Sequence, residues 1–106
     1  MSADSQERRI IDFCKTIIRV SYNQRLAILK DINRGQCSII RQVAYNVLLN
    51  EAFDLSPKDR AYLNRHLNSI RELASRRVCG DRKRIILVKK HLLVKRLCSI
   101  AVKYLT

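Results

Sequence analysis

The sequence holds two glycines, one proline and no tryptophan among its 106 residues. Many-stranded sandwiches and barrels need frequent tight turns, and tight turns draw on glycine and proline. So small a supply argues against them, and against a glycine-rich phosphate loop as well. No unbroken apolar run exceeds four residues, the length of Ile85–Val88, far short of the ~20 that cross a bilayer. Aromatic residues reach only 6%, which leaves few platforms for stacking on bases. Acidic residues are also scarce, nine Asp+Glu against 22 Lys+Arg.

Hydrophobic residues make up 47% of the chain, an ordinary share for a folded domain and too high for a plain disordered tail. A chain of this length fits one domain with one modest core. The net charge is +13 and the pI about 10.3. Residues 1–55 carry only +2 of that charge and residues 56–106 carry +11. The expectation is a single helical domain over 1–106, with near-neutral core helices in 1–55 and basic helices in 56–106. The natural partner of such a half is a polyanion, nucleic acid first and an anionic membrane second.

The opening stretch Met1–Glu7 is polar and partly acidic, unlike a secretory signal, so the expected location is intracellular, in the nucleus or a virion. Cys14, Cys37, Cys79 and Cys98 form no close-spaced pair. In a reducing compartment they read as free thiols packed in the core.

Apolar spacing predicts the helices. The first runs from Gln6 to Val20 behind Ser5 as N-cap, with Ile10, Phe13, Cys14, Ile17 and Ile18 on one face. Ser21 opens the second in a capping box with Gln24; Leu26, Leu29 and Ile32 line its inner side and Gly35 ends it. The third covers Cys37–Ala52, and its broad stripe of Ile39, Ile40, Val43, Ala44, Val47 and Leu48 marks it as the most buried. Ser56-Pro57 starts the fourth, with Asp59 at the third position, and the fourth runs to Val78. Leu63, Leu67, Ile70 and Ala74 face its core, while Lys58, Arg65 and Arg76 fall within roughly a 20° arc on the far side. A fifth, capped by Gly80 or Asp81, runs from Arg82 to Leu105. Arg82, Lys89, Arg96 and Lys103 are seven apart, as are Ile86, Leu93 and Ile100, so each set shares a face of one long amphipathic helix. The competing reading for Ile85–Val88 is a strand. The fold class expected is all-α, a compact bundle of four to five helices ending in that basic helix.

The candidate nucleic-acid-binding residues are Lys58, Arg65, Arg76, Arg77, Arg82, Lys83, Arg84, Lys89, Lys90, Lys95, Arg96 and Lys103. Surface charge runs normally mix signs, whereas only Asp81 interrupts Arg76–Lys103. Lys and Arg neutralise phosphates and release condensed counterions, which supplies affinity without sequence information. Tyr62 and Tyr104 are the stacking candidates, with a core-rim role as the plainer reading. A helix-turn-helix over Ser21–Ala52 is a weaker possibility, since its reader helix is mostly apolar. His66, Cys79, His91 and Cys98 are too widely spaced for a recognised ligand set, so no metal or cofactor is expected. No motif groups a nucleophile, a base and an orienting residue, so no enzyme is expected either. The main rival is an interfacial helix over residues 82–105.

The stretches Ala44-Tyr45-Asn46-Val47-Leu48, Leu55-Ser56-Pro57-Lys58-Asp59-Arg60, Arg65-His66, Ile70–Arg77 and Arg82-Lys83-Arg84-Ile85-Ile86-Leu87 resemble a small basic protein of virus-like DNA transposons of the Polinton/Maverick type and related adintoviruses. The likeness covers about Ala44–Leu87, under half the chain. It implies a particle-associated, genome-associated role. Where relatives follow the basic run with a Gly-Gly-Phe-like apolar tail, Lys89–Leu105 here stays charged and amphipathic, which puts a membrane-lytic tail in doubt. The function expected is non-enzymatic, largely sequence-independent DNA binding, with genome condensation in a virus-like particle as its setting. A particle adaptor or membrane-surface protein is the first alternative, and a helix-turn-helix regulator the second. Expected partners are nucleic acid, DNA ahead of RNA, then a second copy of the chain or a capsid protein, with membrane behind them.

Overall fold

The computed structural model describes residues 2–49, 55–76 and 80–105. Among these the chain forms seven α-helices and no strand: α1 (Ser2–Arg19), α2 (Tyr22–Lys30), α3 (Arg34–Leu49), α4 (Pro57–Arg65), α5 (Leu67–Ala74), α6 (Gly80–Lys89) and α7 (His91–Leu105). The all-α reading holds, and residues 85–88 are helical within α6. The helix count exceeds the four to five expected.

The excess has a geometric cause. A straight helix over 82–105 would reach roughly 36 Å at 1.5 Å per residue, whereas the whole molecule measures 34 × 30 × 29 Å. The segment therefore divides at Lys90. There α6 packs on α2, while α7 lies along α1 and against α3. The expected fourth helix divides in the same way at His66, whose N–H bonds the Leu63 carbonyl over a tightened 3.0 Å turn. That division removes the shared face of Lys58, Arg65 and Arg76, because Arg76 lies beyond the end of α5.

Helix starts follow side-chain chemistry closely. Ser21 Oγ accepts from the Gln24 N–H at 3.3 Å and Gln24 Oε1 accepts from the Ser21 N–H at 3.1 Å, the expected capping box. Ser56 Oγ accepts from the Asp59 N–H at 3.1 Å ahead of Pro57. A second capping box lies outside the sequence-based expectations. Asn33 Oδ1 accepts from the Gln36 N–H at 2.8 Å while Gln36 Oε1 accepts from the Asn33 N–H at 3.2 Å. This box starts α3 at Arg34 and places Gly35 inside its first turn. Gly35 therefore does not end α2, which stops at Asp31. Ser5 likewise lies within α1 and caps nothing.

One contiguous core draws on all seven helices. Cys14, Ile17, Leu29, Ile70, Leu73, Leu87, Leu93, Val94 and Leu97 are each at most 1% exposed. The most buried helix is α7 rather than α3: Leu93, Val94, Leu97, Cys98, Ile100 and Ala101 all lie inside. The apolar face read as a rival membrane surface is thus core. Arg25 of α2 is buried too. Its Nε donates to the Ile17 carbonyl at 3.1 Å and its Nη2 to the Val20 carbonyl at 3.4 Å. These are unpaired acceptors at the negative end of α1, where a cation is favourable.

Candidate nucleic-acid interface

Helix α3 buries Ile40, Val43, Ala44 and Val47. Its opposite face carries Arg34, Cys37, Arg41 and Tyr45 at helical spacing. Lys83 and Arg84 of α6 and Arg76, just after α5, meet this face. Together with Asn33 and Ser38 they line a pocket of about 540 Å³. Five cations thus converge on one hollow whose lining holds no carboxylate. It opens beside the first turn of α3, where unpaired N–H groups and the helix dipole favour negative charge.

Lys83 is the unusual member. It lies one turn before the buried Leu87 on α6 and is only 6% exposed. It has no hydrogen bond or ion pair among the described residues. Burial holds its ammonium below the ordinary lysine range; Cys37 opposes that depression and Arg41 adds to it. An expected surface contact is therefore a largely covered side chain in the lining of the pocket. A second hollow of about 570 Å³ adjoins the first. Arg41 and Arg76 line both, and Tyr45, 51% exposed, lines the second.

The remaining expected residues do not form one cluster with these. Arg82 pairs with Glu72 at 3.0 Å; Arg84, within the pocket, also pairs with Asp81 at 3.5 Å. Arg96 Nη1 lies 3.4 Å from Asp59 Oδ1, and its guanidinium stands 4.6 Å over the Tyr62 ring. Lys90 Nζ contacts His66 Nδ1 at 3.2 Å. Lys103 Nζ sits 5.4 Å from the centre of the Tyr104 ring. Lys58, Arg65 and Lys89 are exposed and Lys95 is half-buried. The single basic stripe Arg82-Lys89-Arg96-Lys103 is therefore corrected: the break at Lys90 separates its halves, and two of its four cations face carboxylates. Tyr62 is occupied by Arg96, so it offers no open stacking face. Arg77 and Cys79 lie outside the described residues.

Cys14 and Cys98 are buried free thiols, whereas Cys37 is half-buried and faces the pocket. The Cys98 thiol is pushed well up by its hydrogen bond with Cys14 and by burial. No group of three or more His, Cys, Asp or Glu residues able to hold a metal ion occurs among the described residues.

Sequence reasoning missed Arg34, Arg41 and Tyr45. The signal was present, because Arg34 and Arg41 are seven apart and Tyr45 follows four later. Starting the third helix at Cys37 hid it by leaving Arg34 in a loop. No protein-family model, curated protein or solved structure matches the chain.

Proposed function

We propose that the protein binds nucleic acid, DNA ahead of RNA, largely without sequence preference and without catalysing a reaction on it. The observation that carries this reading is the convergence of Arg34, Arg41, Arg76, Lys83 and Arg84 on a hollow lined by no carboxylate. Beyond it, the exposed Lys58 and Lys89 extend the positive field that draws in a polyanion. The same chemistry suits a nucleoprotein of a virus-like particle, the setting that the family resemblance implies.

Two alternatives are weaker. An interfacial helix needs an apolar face free for lipid, but that face of α7 is core. A helix-turn-helix needs a reader helix rich in exposed polar side chains, but α3 turns four apolar residues inward and spends its polar face on the basic pocket.

The deciding experiment is gel retardation of random duplex DNA against salt, with a single-sequence competitor and anionic liposomes as controls. Retardation that fades between 50 and 200 mM salt, as about six phosphate contacts dictate through a log–log slope of roughly −5, supports the reading. Retardation that never appears, or that survives high salt unchanged, overturns it. Flotation with liposomes while DNA is ignored favours the membrane reading instead.

A further inference from the structure

The pocket has a feature that backbone binding does not need. A diester phosphate on a duplex is met by cations at the surface, whereas Lys83 is 6% exposed and has no acceptor among the described residues. Around it stand Arg34, Arg41, Arg76 and Arg84, more positive charge than one diester neutralises. A di- or triphosphate, which concentrates several negative charges in a small volume, matches that density. The hollow of about 540 Å³ lies in the range of small-molecule sites, roughly 300–1,000 Å³. Beyond the wall made by Arg41 and Arg76, the adjoining hollow offers the exposed Tyr45 ring, a platform on which a base stacks.

We propose that the pocket between α3 and α6 is a binding site for a free nucleoside di- or triphosphate, with the phosphates held by Lys83, Arg34 and Arg84 beside the first turn of α3 and the base against Tyr45. The site rests on that reading and uses the same five cations that carry it, while the exposed Lys58 and Lys89 serve duplex binding outside the pocket. Arg41 and Arg76 sit between the two hollows, where they reach the phosphates from the nucleoside side. Cys37 lies in the same pocket, so an occupant shields its thiol from alkylating reagents.

The test uses the full chain and calorimetric titration with inorganic pyrophosphate, ATP and adenosine at 150 mM salt. Pyrophosphate binds at one per chain, ATP binds at least fivefold more tightly, and adenosine does not bind measurably. Lys83→Met weakens pyrophosphate at least tenfold, whereas the charge-matched surface change Lys89→Met weakens it less than twofold. Tyr45→Ala erases the advantage of ATP and leaves pyrophosphate unchanged. In the unmodified protein, pyrophosphate slows iodoacetamide labelling of Cys37, read by peptide mass spectrometry, at least fivefold; this arm needs no variant. Equal losses from Lys83→Met and Lys89→Met, or unchanged Cys37 labelling, overturn the site and reduce the binding to diffuse charge. Equal affinity for ATP and pyrophosphate keeps the phosphate site and overturns the seat on Tyr45. Duplex retardation by the unmodified protein separates the two readings: it is present if only the pocket proposal fails, and missing if the nucleic-acid reading fails.

Discussion

Lys90 Nζ sits 3.2 Å from Nδ1 of His66, so the imidazole accepts from a cation and must be neutral there. An ammonium only donates, and Nδ1 can accept only with its lone pair free. Burial lowers the His66 pKa, and Lys90 and then Arg65 lower it further. The unfolded chain therefore binds a proton near pH 6.5 that the folded chain refuses. Stability falls as the pH drops below 6.5 and levels off once the folded ring is protonated. Thermal melts between pH 8 and 4.5 check this: His66→Gln flattens the part of the slope that lies just below 6.5, and an unchanged slope removes the assignment.

Lys83 gives a second linkage. Its folded pKa lies below the ordinary lysine value, so the folded state gives up a proton that the unfolded state keeps until about pH 10.4. Stability therefore rises with pH between the two values. Lys83→Met keeps the unbranched stem and removes the buried charge. It does not lower stability at pH 7 and abolishes the gain seen on raising the pH. A lower Tm in Lys83→Met means that the ammonium has a partner in the fold.

Helix class, the Ser21 capping box, the Ser56 N-cap and most of the core were legible in the sequence, because each rests on local spacing. Ser21–Gln24 and Ser56–Pro57 announce helix starts by chemistry alone, and Ile10, Cys14 and Ile17 repeat at the helical period. The breaks at His66 and Lys90 were not legible. No glycine or proline marks them; the limit is how far a straight rod reaches across a small core. The pocket was half legible. Arg76, Lys83 and Arg84 stood out by charge density, but Arg34 and Arg41 belong to a segment whose overall charge balances. Only the packing of α6 on α2 and α5 brings the two sets around one hollow. Lys83 itself reads as surface in the sequence, since a lysine looks like solvent-facing charge until its place one turn before the buried Leu87 is weighed.

Arg96 has work within the fold. Its partner Asp59 has a side chain only 13% exposed, in the first turn of α4, and its guanidinium covers the Tyr62 ring. Arg96→Ala leaves the carboxylate with no cation and uncovers the ring, destabilising the protein by about 1–3 kcal/mol. Arg82→Ala breaks a more exposed pair with Glu72, 65% and 37% exposed, and shifts stability by less than about 1 kcal/mol. Urea melts of the two variants rank them. Equal effects indicate that the Asp59 contact contributes no more than a surface pair.

The same contrast separates DNA-binding cations from structural ones. Lys58 and Lys89 are exposed and make no ion pair among the described residues. Each is free to displace a counterion from a phosphate, and each neutralisation should flatten the log–log salt slope by about 0.9 on duplex DNA. Lys58→Gln with Lys89→Gln therefore lowers the magnitude of the slope by about 2 with little change in Tm. Arg82→Gln changes the slope less, because its guanidinium is partly neutralised by Glu72 before DNA arrives. Salt titrations of retardation on one random duplex measure all three proteins alongside the unmodified chain. A double lysine variant with the unmodified slope means that these two side chains stay clear of the phosphate backbone.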